Sequence, residues 1–387
     1  MSRGRRRFLL IIHGLTALAH IAPGLVLARW LTPLPGLAAT LALFTLSTLR
    51  FRAIALDRKR PRWQTLLIDE PLFCHWGAGT LAFLVTPLWL VAGLLAYAFG
   101  WVTGTWIASL AGFVYAAGLL IATWSVYVSR RRVQIRTVRV EVPELPAALS
   151  GYRIAQLSDL HVGSFSPRDE ALAWAARANA LEADVVVVTG DLVASGTSFY
   201  EDVADVIGTL RARDGVYVVL GNHDQWDSTR LVGLLEKSGA IVLQNGWRPI
   251  QRDGSTLVLA GLGDRYTQRD DMSRTLADRP GGAPTVLLAH YPQSFEQALQ
   301  HGVELVLSGH THGGQFGVPF FADRANLAAL ARQRGRGLVR KGKSQLYVNA
   351  GLGTTGPPMR LGVLPEIALL VLEPPSDQSG APNDPRN

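Results

Sequence analysis

Five short stretches of the chain carry side chains that could do chemistry. They are Ser158-Asp159-Leu160-His161, Gly190-Asp191, Gly221-Asn222-His223-Asp224, the single His290, and Gly309-His310-Thr311-His312. Taken singly, each has an ordinary explanation: Gly-Asp is a common turn, Asn-His a hydrogen-bonded loop, and a lone histidine a satisfied core residue. Together they hold five of the six histidines that follow residue 150, the sixth being His301 on an expected helix end. Five such clusters in series, mixing carboxylate, amide and imidazole, point to one shared site, with metal binding the chemistry they suit best.

The elements that must position them are legible from periodicity. Each cluster directly follows a short β-branched or aliphatic run: "YRIAQL", "VVVVT", "VYVVL", "TVLLA" and "LVLS". Between the runs lie helical stretches such as "RDEALAWAARANALEA" and "TRLVGLLEKSG". Buried strands alternating with helices predict an α/β layered domain whose ligands gather at strand ends. The adjoining glycines let the backbone turn sharply there.

The ordered set Asp-x-His, Gly-Asp, Gly-Asn-His-Asp, His, Gly-His-Thr-His resembles the calcineurin-like metallophosphoesterase superfamily, from about Tyr152 to Glu373. "GHTHGGQ", with "LGTTGPPMRLGVLPEI" downstream, looks closest to a bacterial membrane-linked branch. That branch includes exported envelope phosphatases and UDP-2,3-diacylglucosamine hydrolases. The resemblance implies a four-layer α/β/β/α sandwich and hydrolysis of phosphodiester, phosphomonoester or pyrophosphate bonds with two divalent ions. It assigns Asp159, His161 and His312 to one ion, Asn222, His290 and His310 to the other, and Asp191 as the bridge. His223 is left to face the phosphate and protonate the departing oxygen. Mixed Asp, His and Asn ligation without thiolate suits Mn2+, Zn2+ or Fe. Asp224 and Asp264 read as turn or hydrogen-bonding residues. The glycines of "GLGTTG" could lend N–H groups to a phosphate or form a plain loop.

The first third of the chain differs in kind. No Asp, Glu, Lys or Arg occurs from Pro71 to Ser129, and 8–28 and 30–49 are also free of charge. Runs of about 20 such residues read as transmembrane helices. Four spans are expected, at 8–28, 31–49, 72–97 and 103–128, with Trp30, Trp101, Trp106 and Tyr127 as interfacial anchors. His13, His20 and His75 fall in or at the ends of these spans. Residues 1–150 carry 16 basic against 5 acidic side chains, and the remainder 22 against 25. The basic excess therefore flanks the membrane segments, which argues against a nucleic-acid partner. By the positive-inside rule the amino terminus, the middle loop and the catalytic domain face the cytoplasm. The competing reading takes Arg5-Arg6-Arg7-Phe8-Leu9-Leu10 as a twin-arginine export signal and puts the domain outside. Cys74 is the one cysteine, so no intrachain disulfide forms.

The expected organisation is a transmembrane domain at 1–130, a linker strand and turn at 131–150, the metallophosphoesterase domain at 151–374, and a disordered tail at 375–387. The expected function is a multi-pass phosphoesterase of the bacterial cytoplasmic membrane, acting on a phosphoester that is lipid-linked or a UDP-sugar lipid, with membrane lipids as neighbours. The alternatives are an exported envelope phosphoesterase and a non-catalytic membrane scaffold. The segment 316–344, an apolar piece followed by a basic tail, is expected either to cap the site or to form an ordinary surface helix and loop.

Overall fold

The computed structural model describes residues 10, 13–54, 59–101, 104–318 and 320–375. The tail expected at 375–387 lies outside them from residue 376 onward. Contacts divide the chain into two units, Met1–Arg131 with Gly356–Arg360, and Arg132–Thr355 with Leu361–Asn387.

The first unit is helical: α1 Ile21–Leu31, α2 Pro33–Ile54, α3 Glu70–Ala98 and α4 Gly104–Tyr127. Among the described residues three stretches are long and apolar enough to cross a membrane: Pro33–Arg52, Arg62–Leu88 and Ser109–Arg131. The apolar helix His13–Ala28 is shorter, and its expected beginning at residue 8 falls outside the described residues. Of the four expected spans, three are thus clear among the described residues. The span expected at 72–97 also starts earlier than the uncharged run suggested, because Asp69 and Glu70 lie within Arg62–Leu88, both buried. Each is neutralised by arginine: Asp69 by Arg50 at 2.5 Å and Arg60 at 3.3 Å, Glu70 by Arg130 and by Arg131 at 3.3 Å. Buried charges persist only when paired in this way.

The second unit contains two six-stranded sheets. In the first, β1 Gln134–Glu141, β2 Arg153–Leu157, β3 Val185–Thr189, β4 Val216–Val219, β5 Ile241–Val242 and β12 Glu366–Glu373 run in the order β1-β12-β2-β3-β4-β5. All neighbours are parallel except β12 against β2. The second sheet combines β6 Gly246–Arg252, β7 Ser255–Gly261, β8 Thr285–Leu288, β9 Leu305–Ser308, β10 Gly337–Lys341 and β11 Ser344–Val348 in the order β10-β11-β9-β8-β7-β6. The strand expected within 131–150 is β1, an edge strand of the first sheet, paired with β12 from Gln134 to Glu141.

The run "VVVVT" shows why these residues fold so. Val185 and Val187 pack into a cluster with Leu257, Val286 and Leu305 of the second sheet, whereas Val186 and Val188 pack against helices. A strand covered on both faces must be apolar at every position, and a β-branched run meets that need. Each such side chain, fully buried, contributes about 1.5–3 kcal/mol. The helix side is built by α5 Arg168–Asn179, α6 Tyr200–Thr209 and α7 Ser228–Lys237. In α5 the buried residues Ala171, Trp174, Ala175 and Ala178 repeat at helical spacing. The outer side of the second sheet packs Phe295 and Ala298 of α8 Phe295–Gln300 in a third cluster.

Candidate metal centre

The five clusters converge where the carboxyl ends of the two sheets meet. The first sheet supplies Asp159 and His161 after β2, Asp191 after β3, and Asn222 and His223 after β4. The second supplies His290 after β8, and His310 and His312 after β9. Buried Gln156 ties the sheets together just beneath, its Nε2 donating to Thr189 Oγ1 and to the Ser308 carbonyl, each at 3.0 Å.

Among the described residues three groups of ligand atoms lie close enough to hold a metal ion: Asp159/His161/His312, His161/Asp191/His223 and Asp191/His290/His310. Within them, His161 Nε2 is 3.0 Å from His312 Nε2, and His312 Nε2 is 3.4 Å from Asp159 Oδ1. Asp191 Oδ2 lies 3.3 Å from His290 Nε2 on one side and 3.7 Å from His161 Nε2 on the other. The donor set fits divalent ions. The buried His310 Nδ1 has no hydrogen-bond partner, and two buried carboxylates stand among five imidazoles.

The backbone is bent to deliver these groups. Asp159, His161, Asp191, His310 and His312 all adopt positive φ, between 43° and 69°. Non-glycine residues rarely do so, and such strain gathers at functional sites. Close glycines make room. A Cβ on Gly221 would stand 2.2 Å from Asp191 Oδ1, and one on Gly309 2.2 Å from Asp159 Oδ2.

Electrostatics follow burial and pairing. Burial pushes the Asp159 carboxyl up to about 6, against the pull of His290. Burial also pushes Asp191 upward, but the imidazoles of His290, His223 and His161 prevail and hold it well below the usual carboxylate range. Burial would lower His290, yet Asp191 raises it to about 10. Burial, reinforced by His290, drives His310 down to about 4.

His223, beside His161 and Asp191, is held by a hydrogen bond of its own. Its Nδ1 donates to the Ala194 carbonyl, which fixes the ring and leaves Nε2 as its second functional atom. Asp224 is structural: it accepts from the N–H groups of Leu192, Val193 and Gly221 and so clamps the loops after β3 and β4 together. Asp264 closes a turn on Thr267. The N–H groups of Gly351, Leu352 and Gly353 are spent on Asn349 Oδ1 and the carbonyls of Ser158 and Asp159, which leaves none of the three for a phosphate.

One participant was invisible in the pattern. The Tyr291 hydroxyl donates to Asn222 Oδ1 at 3.0 Å, and its ring lies 4.3 Å from that of His310. A tyrosine directly after His290 carries no motif signal.

The family model for calcineurin-like phosphoesterases matches residues 152–314. Residues 152–314 form a calcineurin-like phosphoesterase domain. Curated relatives are consistent with this. Over 255 residues the chain is 35% identical to a "Transmembrane protein with metallophosphoesterase domain" of Danio rerio, a match covering 62% of this chain and 57% of that protein. It is 27% identical over 267 residues to the "Uncharacterized metallophosphoesterase YkuE" of Bacillus subtilis, covering 67% of this chain and 93% of that one. An "Uncharacterized metallophosphoesterase" of Helicobacter pylori is 30% identical over 256 residues, covering 64% and 66%. The chain thus spans little more than half the length of the Danio relative. In this phosphoesterase domain the family match ends at Gly314, just past the last histidine cluster.

Proposed function

We propose that the chain is a membrane-associated, two-metal phosphoester hydrolase. The observation that carries this is the position of Asp191, one carboxylate between the His161 side and the His290 side of the site. In this reading Asp159, His161 and His312 hold one ion, Asn222, His290 and His310 the other, and Asp191 both. Two such ions supply an activated water and neutralise charge on the phosphoryl oxygens. The chain's own residues do the rest. His223, oriented by Ala194, presents Nε2 to the leaving-group oxygen and gives it a proton. Tyr291 holds the Asn222 amide in place through its carbonyl oxygen. The test is hydrolysis of bis(p-nitrophenyl) phosphate by the full chain with Mn2+ and after chelation; a chain that binds metal without turnover would be a scaffold instead.

The substrate is proposed to be lipid-linked, of the UDP-2,3-diacylglucosamine kind. Support comes from residues 316–318 and 320–335, which are fastened to the histidine loop by Gly314 against Asn326 and by Thr311 Oγ1 on the Gly335 carbonyl. This segment exposes Val318, Phe320, Phe321, Leu327 and Leu330, with Phe320 fully exposed. Large exposed apolar side chains gathered in one segment suit contact with acyl chains. The basic part contributes less than its composition suggests. Arg336, Arg340, Lys341 and Lys343 pair with Asp323, Glu141, Glu296 and Glu144, and Gly337–Lys341 is strand β10 rather than a loop. A Phe320→Ser/Phe321→Ser/Leu330→Ser variant should lose turnover of the lipid substrate at least tenfold and keep that of the soluble diester. Equal loss on both would refute the lipid reading.

For topology we infer a cytoplasmic-membrane protein with the domain on the cytoplasmic side, from the basic flanks of the apolar segments. A carboxyl-terminal reporter fusion active only outside would establish the exported alternative.

A further inference from the structure

The helical unit holds a hydrogen-bonded chain that phosphoester chemistry does not use. His20 and His75 face one another, Nε2 to Nε2, at 3.2 Å. Behind His20, Nδ1 lies 2.7 Å from the Thr16 carbonyl oxygen; behind His75, Nδ1 lies 2.6 Å from the Tyr115 hydroxyl. Small residues bring the backbones together here. A Cβ on Gly79 would collide with the Ala19 carbonyl oxygen, and one on Gly118 would sit 2.9 Å from that of Ala78. Ring spacing is therefore set by backbone contact.

The hydrogens can be placed by elimination. A carbonyl oxygen only accepts, so His20 Nδ1 carries hydrogen, and in neutral His20 Nε2 is bare. His75 Nε2 must then donate, its Nδ1 is bare, and Tyr115 donates to it. The neutral chain runs one way, from Tyr115 through His75 and His20 to Thr16.

One added proton reverses two of these bonds and breaks none. As it bonds to the Tyr115 oxygen, the original hydroxyl proton passes to His75 Nδ1, and the proton on His75 Nε2 passes to His20 Nε2. His20 is now an imidazolium donating to Thr16 and to the bare Nε2 of His75, while His75 Nδ1 donates to Tyr115. All four ring nitrogens keep a hydrogen-bond partner in both charge states, and the new Tyr115 O–H points away from the chain. Among apolar helices, where unpaired polar atoms are costly, interhelical cross-linking alone requires only the neutral one. The Thr16 end is a backbone carbonyl and a dead end for protons, so Tyr115 is the entrance.

The surroundings leave the charge to this pair. Phe44 meets His20 edge-on, Trp76 Nε1 donates to Thr16 Oγ1, and Cys74 adjoins His75 on α3. Asp69 and Glu70 are engaged by Arg50, Arg60, Arg130 and Arg131. His13 shares the helix of His20.

We propose that His20 and His75 form a single-proton binding site within the helical unit, loaded through Tyr115. The test is 15N NMR of the full chain with labelled histidines in lipid nanodiscs, assigned with His20→Gln and His75→Gln. At alkaline pH the two rings should be opposite tautomers, Nδ1–H in His20 and Nε2–H in His75, and on acidification they should take up one proton in one shared step. Identical tautomers, or two independent one-proton steps, would overturn the site. Tyr115→Phe, with helical content verified by circular dichroism, should slow proton exchange at the pair at least tenfold; unchanged exchange would overturn the loading route.

Discussion

His290 Nε2 stands 3.3 Å from Asp191 Oδ2, a contact that spans the two sheets. Each residue changes the other: the carboxylate keeps the imidazole protonated, and the imidazole keeps the carboxylate ionised. The pair is its own counterion, and an ion bound there would have to replace the proton.

Calorimetry can count that replacement. In the metal-free protein His290 titrates at about 10 and His310 at about 4. At pH 8 His290 is therefore protonated and His310 neutral, so filling the Asp191–His290–His310 position should release one proton, from His290. Because ligands bind deprotonated, affinity should climb with pH up to about 10 and fall toward acid. Titrations in two buffers of different ionisation enthalpy give the count, and zero release would contradict the pairing.

Asp191→Asn removes the charge that both sides of the site share. Turnover should fall by about a thousandfold or more, and elemental analysis should find fewer than two ions per chain. Full occupancy with near-native turnover would show that Asp191 is no bridge.

His223→Asn separates proton delivery from metal binding. Loss of a general acid costs about 10²–10⁴ in rate, while both ions should stay. An emptied site would make His223 a ligand.

Tyr291→Phe removes one hydroxyl from Asn222 Oδ1. Partners of metal ligands typically account for about 10–100-fold in affinity. The ion on the Asn222 side should weaken by about that factor, the other ion should not, and KM should change less than kcat once metal is saturating.

Asp224→Ala strands three backbone N–H groups that are satisfied by one buried carboxylate. At about 1–3 kcal/mol for each orphaned donor, destabilisation should be at least ~3 kcal/mol, read from denaturant unfolding. Asp224→Asn should recover part of it, since an amide oxygen still accepts.

The strand-end residues were readable because β-branched runs such as "VVVVT" end abruptly in small polar residues, a boundary that side-chain chemistry alone defines. Tyr291 was unreadable because its role depends on the approach of β4 and β8, strands from different sheets. Asp69 and Glu70 misled for a related reason. Charge at the end of an apolar run looks like loop, and only the arginines brought in from elsewhere make it tolerable inside. The apolar stretch 316–330 was visible as composition, but the capture of most of the basic tail by the domain's own acids was not.

The dual origin of the site has a mechanical meaning. Because each proposed metal position draws ligands from β2, β3 or β4 on one side and from β8 or β9 on the other, the spacing of ligand atoms within it gauges how the sheets seat against each other, with Gln156 as the pin. Repacking Tyr217 or Leu259, deep between the sheets, would retune that spacing from a distance. Catalytic rate thus becomes a property of core fit as well as of ligand identity.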